Sequence, residues 1–153
     1  MPELDRIDRI IIGALESDGR RPYNELAELV GLTPGGVRKR VMRLIEDGTL
    51  KVIGVTDPLR LGFEAMAVLN ITVEGDPYEI ADALAAIPQV VYVVVGGGGF
   101  DILAEVLAKD SQHLGQVVSG TVRAIPGVKS LTVFTYYTIH THRFTWGEEP
   151  LPE

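Results

Sequence analysis

The stretch 33-TPGGVRKRVMRLIEDG-48 places Arg38, Lys39, Arg40 and Arg43 within six positions of what reads as a single helix. Thr33 is a capping residue, and Pro34 suits a first helical position, where no amide donor is needed. With about 100° of rotation per residue, Val37, Val41, Leu44 and Ile45 share one side and are expected to pack inward. Gly35, Gly36, Lys39, Met42 and Arg43 fall on the opposite side, with Arg38 and Arg40 on the flanks. This is a helix with one apolar face and one basic face.

Upstream, Pro22 opens a short helix that presents Leu26, Ala27 and Val30, and Gly31 permits a tight turn with positive φ. Before it, Leu4, Ile7, Ile10, Ile11, Ala14 and Leu15 recur at helical spacing, with Asp5 as a cap and Asp18-Gly19 as a stop. The spacing of Ala27, Gly31 and Val37 fits a helix-turn-helix: a small residue, a turn glycine and a branched apolar residue in the joint core. The second helix of such a unit enters the major groove of double-stranded DNA. The candidate DNA-contacting residues are Thr33, Gly35, Gly36, Arg38, Lys39, Arg40 and Arg43. Lys39 and Arg43 are expected to reach base edges, while Arg38 and Arg40 hold phosphates. Gly35 and Gly36 offer no side-chain donor or acceptor, so their use there is close backbone approach. The plainer alternative is a solvated basic helix face.

Beyond Gly48 the pattern changes. Residues 50–56 read as a short linking strand, closed by Asp57-Pro58. Then Ala65, Ala67, Leu69, Ile71 and Val73 alternate with Glu64, Asn70 and Thr72, as in a half-buried strand. Asp76-Pro77-Tyr78-Glu79 begins a helix with a cap, a first-turn proline and a capping-box acid, and Ile80, Leu84 and Ile87 form its stripe. Residues 90–95 are a β-branched strand broken only by Tyr92; glycines 96–99 turn; residues 100–107 alternate again. A second helix carries Leu114, Val117, Val118, Thr121, Val122 and Ile125, and a last strand covers 130–141. The order β-α-β-β-α-β, with matching phrases Ile87-Pro88-Gln89-Val90 and Ile125-Pro126-Gly127-Val128, describes a ferredoxin-like domain. Helices cover one face of such a sheet. The other, apolar here, calls for a second copy, and a dimer also suits a reader of two half-sites.

Charge divides the chain the same way. The formal net charge is −7. Residues 1–57 hold nine Lys/Arg against ten Asp/Glu, and residues 58–153 hold five against eleven. An acidic protein with one locally basic helix weakens non-specific DNA attraction but keeps a local phosphate-binding face. There are no cysteines, which excludes disulfides, thiolate metal sites and a cysteine nucleophile. The start, MPELDRID, lacks a signal-peptide core, and no apolar run approaches ~20 residues. A cytoplasmic protein without membrane association is expected.

Taken in order, LDRIDRIIIGALESDGR, ELAELVGLT, VRKRVMRLIEDGTL, DPLRLGF, GGGFDILAEV and IPGV resemble the Lrp/AsnC, or feast/famine, family of transcriptional regulators, from about Leu4 to His140. The resemblance implies a winged-type helix-turn-helix over 1–50 and a linking strand or arm over 51–63. It further implies a ferredoxin-like αβ-sandwich over 64–142 for effector binding and oligomerisation, and a tail over 143–153. It implies an α+β two-domain, non-enzymatic regulator whose homodimers build tetramers or octamers. Such proteins commonly take an amino-acid effector between dimers, with no cofactor. Gly98, Gly99, Phe100 and Asp101 match the family's effector loop. Two departures stand out. The Gly35-Gly36 pair replaces side chains, and Leu131 and Val133 take places where members often carry threonines, with Thr132 and Thr135 out of phase.

Glycines 96–99 lead into a strand rather than a helix, so they read as a hairpin turn and not a phosphate loop. Asp101 suits either effector contact or turn chemistry. His140 and His142 share a strand face but lack a third metal ligand, and His113 lies on a helix elsewhere. Trp146 and residues 147–153 read as an acidic terminus. Sirohaem decarboxylases share this layout. Their sensing domains are rich in histidine and arginine, whereas VVYVVVGGGGFDILAEV contains no His, Arg or Lys. That favours the regulator, with such an enzyme and an effector-independent architectural DNA binder as the other readings.

Overall fold

The computed structural model describes residues 3–141, so His142, Trp146 and the tail lie outside the described residues. The chain divides into one compact unit up to Val55 and a second over Thr56–His140.

The first unit holds three helices, α1 (Arg6–Ser17), α2 (Tyr23–Val30) and α3 (Pro34–Glu46). Asp5 caps α1 by accepting from the Asp8 amide at 2.8 Å, and Asp8 answers at the Asp5 amide, which closes a capping box. Gly31 takes φ +70°, and the Leu32 amide donates to Ala27 O, the bond that ends α2 and frees the chain to turn. Ile11, Ala14 and Leu15 of α1 meet Leu26 and Ala27 of α2 and Val37 and Val41 of α3 in one core. Leu44 is buried as expected, but Ile45 is 39% exposed. The neighbouring helices cover a narrower stripe of α3 than the projection allowed, and Ile45 sits at its rim beside Tyr23 and Val52.

Residues 51–57 form no ladder, contrary to the expected linking strand. A strand needs a hydrogen-bonding neighbour, and none of the described residues supplies one. Val52, Ile53 and Val55 are left exposed. A 3-10 turn, Leu59–Leu61, lies at the start of the second unit.

That unit contains β1 (Ala65–Val73), α4 (Pro77–Ala85), β2 (Val90–Val95), β3 (Ile102–Ala108), α5 (Ser111–Gln116) and β4 (Val128–Tyr136). The sheet order is β2-β3-β1-β4 with antiparallel pairing throughout. This is the expected ferredoxin-like arrangement. Ala65, Ala67, Leu69 and Ile71 of β1 and Ile102, Ala104, Val106 and Ala108 of β3 are buried together with Ile80, Leu84 and Ile87. Asp76 caps α4 through the Tyr78 amide at 2.9 Å. α5 continues as a π-helical segment, Val117–Val122, in which the Arg123 amide reaches back five residues to Val118 O. The wider turn slips the helical phase. Val117, Val118 and Val122 stay inside while Thr121, expected on the same stripe, faces solvent. β4 ends at Tyr136, before the expected 141, its last pairing being with Met66 of β1.

The two IPxV phrases differ in a way the backbone explains. Gly127 has φ +90°, and a Cβ there would lie 2.7 Å from Ile80 Cδ1 and 2.8 Å from Glu74 O. Its carbonyl accepts from the Glu74 amide, so the strand beginning at Val128 is pinned against the end of β1.

Candidate nucleic-acid interface

Thr33 caps α3, its Oγ1 accepting from the Gly36 amide at 3.2 Å. A Cβ on Gly35 would meet nothing within 4 Å, and one on Gly36 would make only ordinary contact with Thr33 and Leu32. No packing constraint therefore demands glycine at either position. The first turn of α3 presents bare backbone to solvent. Beside it, Arg38 and Lys39 are exposed and make no ion pair among the described residues, and Met42 lies further along the same outer side.

Arg40 and Arg43 are engaged within the unit. Arg40 Nη1 lies 2.6 Å from Asp5 Oδ2 and 2.8 Å from Asp8 Oδ1, and Arg43 Nη2 lies 2.5 Å from Asp8 Oδ2. Asp8 is 1% exposed, the buried charged residue among those described. Burial alone would push its carboxyl up. The hydrogen bonds from Arg43, Arg40 and the Asp5 amide outweigh that and hold it below the usual carboxylate range. Both guanidiniums are correspondingly shifted up, chiefly by bonding to Asp8. One carboxylate thus ties α3 to α1 through two arginines, and the basic cluster splits into a free pair, Arg38 and Lys39, and a tethered pair, Arg40 and Arg43. Asp8 is not among the residues that the sequence motifs single out. Its signal was an acid at position 8 within the helical stripe formed by Leu4, Ile11 and Leu15, where an unpartnered charge is costly.

In the second unit, glycines 96–99 are exposed, and Gly98 takes φ +121°. Phe100 is half-buried. Asp101 serves the turn: its Oδ2 accepts from the Val73 amide at 2.8 Å, its amide donates to Ile71 O, and its carbonyl accepts from Gly96. These bonds keep residues 100 and 101 in the turn, so β3 begins at Ile102 rather than Phe100. Of the two roles left open for Asp101, turn chemistry has its partners in place. Among the described residues no group of three or more His, Asp or Glu is placed to hold a metal, and no helix is long and apolar enough to cross a membrane.

A capped, basic, glycine-fronted third helix on a trihelical unit, followed by a βαββαβ sheet unit, defines a two-domain helix-turn-helix regulator. Residues 4–45 match the AsnC-type helix-turn-helix domain, and residues 64–149 match the PF0864 C-terminal dimeric alpha+beta barrel domain. Among curated relatives, the HTH-type transcriptional regulator FL11 of Pyrococcus horikoshii is 31% identical over 93% of this chain and 93% of its own length. The HTH-type transcriptional regulator LrpA of Pyrococcus abyssi is 29% identical over 82% and 90%. The solved transcriptional regulator NMB0573/L-Met complex of Neisseria meningitidis superposes with a TM-score of 0.82 at 22% identity, covering 94% of this chain and 96% of that one. E. coli AsnC superposes at 0.81 and 21% identity, covering 93% and 97%, and both likenesses speak to the fold. The chain belongs to the Lrp/AsnC family of DNA-binding transcriptional regulators, which are not enzymes, and its C-terminal unit is of the family's dimeric kind.

Proposed function

We propose that this regulator docks the first turn and outer side of α3 in the major groove. Arg38 and Lys39 supply the side-chain contacts, Thr33, Gly35 and Gly36 the close backbone approach, and Arg40 and Arg43 the angle at which the helix is presented. The observation that carries this reading is the split of the basic cluster: two cations point to solvent and two are bound to Asp8. The sheet unit joins copies into dimers and those into tetramers or octamers in the cytoplasm. An amino acid bound between dimers near Gly98, Gly99, Phe100 and Asp101 shifts the balance of assemblies, and so the spacing of reading heads, through its unequal affinity for them. The L-Met complex of the Neisseria regulator supports the ligand class. Screening each common amino acid for a change in DNA affinity and in particle mass tests this. At least one should alter both, and a set of amino acids that alters neither removes the effector while leaving the DNA reading in place. The effector-independent reading draws on Asp101, whose Oδ2 already serves Val73.

The glycines give a second test with opposite signs. Gly35→Ala has open space around its new methyl, so it should raise the stability of the first unit by up to about 1 kcal/mol. If the bare backbone is there for DNA, the same substitution weakens binding. Thermal melts beside a binding titration read both, and a variant that is both more stable and equally tight removes Gly35 from the interface.

A further inference from the structure

The sheet face away from α4 and α5 is mainly apolar, with Val68, Leu103, Leu107, Tyr92, Phe134 and Tyr136, and it also carries the neutral Asn70 and Thr132 near the charged Glu105. Tyr92 is 56% and Phe134 65% exposed, large values for aromatic rings on a sheet face. In the middle of this face stands one charge. Glu105 is flanked by Val68 on one side and Tyr92 on the other, and its Oε1 accepts a hydrogen bond from the Tyr136 hydroxyl. The bond crosses β1, since Tyr136 pairs with Met66 and Glu105 with Val68. Burial, and then Glu105, push the tyrosine hydroxyl well above its usual value, so it stays a proton donor throughout the working pH range. Among the described residues Glu105 Oε2 has no protein partner.

The domain match is to a dimeric module, and the second copy is the occupant this face fits. Closing it over Glu105 strips water from a carboxylate, which is tolerated only if every oxygen stays hydrogen-bonded. Tyr136 satisfies one oxygen from within the chain; the other calls for a donor on the facing copy, so a register that supplies one is favoured over registers that leave the oxygen bare. We propose that the Glu105–Tyr136 pair is the register pin of the homodimer, fixing how two copies of this chain close and disfavouring partners that lack the matching donor. A buried polar group in a mainly apolar interface sets partner and register in coiled coils by the same physics.

The proposal rests on the dimer reading, and the test separates the two. Full-length wild type, Tyr136→Phe, Glu105→Gln and the double variant Glu105→Leu/Tyr136→Phe are compared by sedimentation over a range of concentrations, with far-UV spectra to confirm folding. Tyr136→Phe strands the carboxylate and should weaken dimerisation by about 10–100-fold. Glu105→Gln, which removes the charge while keeping an acceptor for Tyr136, should weaken it less. The apolar double variant should self-associate at least as tightly as wild type, yet exchange subunits poorly with differently tagged wild type. Wild-type dimers with an unchanged dissociation constant in Tyr136→Phe overturn the pin alone, as does free exchange between wild type and the double variant. A wild-type chain that stays monomeric overturns the dimer itself. Should Tyr136→Phe fail to fold, Glu105→Gln and the double variant carry the same decision.

Discussion

Asp8→Ala is expected to loosen the first unit by about 2 kcal/mol and lower its melting temperature by about 10 °C. Breaking a fully buried ion pair from one side costs more than that. Here the arginine side chains remain 29% and 44% exposed, and water takes over part of the lost bonding. The pH dependence follows from the depressed pKa of Asp8. A carboxyl bound more tightly to its proton in the unfolded chain than in the folded one contributes fully above its unfolded value, about 3.9. That contribution is lost as the pH falls through the lower folded value. Wild type should therefore weaken more steeply than Asp8→Ala in acid below about pH 4. DNA binding should respond in two parts. Cognate affinity falls about tenfold as α3 loses its tether, because small displacements of contacting groups are expensive. At the same time the freed arginines reach phosphates, and the dependence of log K on log salt steepens by about one to two. Calorimetric melts and salt-series binding read these effects. A variant with wild-type stability and an unchanged salt slope means the Asp8 bonds carry no weight in solution.

What the sequence disclosed depends on how far each feature reaches along the chain. Caps at Asp5, Thr33 and Asp76 and the turn at Gly31 were legible because each is settled within a few residues by backbone bonding and φ. The sheet was legible because alternation in β1 and β3 follows from the pleat alone. The ion pairs of Arg40 and Arg43 were not. Their partners are about thirty residues away on α1, and helical projection shows which way a side chain leaves its own helix but not what it meets. Ile45 and Thr121 escaped for related reasons: one depends on how much of α3 its neighbours cover, the other on a single π turn. The expected linking strand failed because a strand is a relation between two segments, and no local pattern supplies the second. Glu105 was visible as a charge at an outward position of an alternating strand, but its meeting with Tyr136 needed the register across β1.

The division within α3 leads to the second large effect, a contrast among Arg38→Ala, Lys39→Ala and Arg43→Ala. Arg38, on the flank and unpaired, is assigned to a phosphate. Its loss should weaken all DNA sequences alike and lower the salt slope by about 0.9, the counterion equivalent of one contact. Lys39, at the centre of the outer side, is assigned to a base edge. Its loss should cost about 1–3 kcal/mol, or about 5- to 150-fold, on the preferred operator and relax preference at one base position, while unrelated DNA is bound nearly as before. Arg43→Ala should behave differently from both. It removes a partner of buried Asp8, so thermal stability drops first, and in conditions where the unit remains folded the salt slope stays near that of wild type. Binding titrations at several salt concentrations on a set of operator variants, run beside melting curves, give every quantity required. Equal, sequence-independent losses for Arg38→Ala and Lys39→Ala would erase the distinction between phosphate and base contact. A reduced slope in a fully stable Arg43→Ala would return that arginine to the DNA. The contrast is decisive because stability and salt dependence respond to different partners: one reports bonds to Asp8, the other bonds to phosphate.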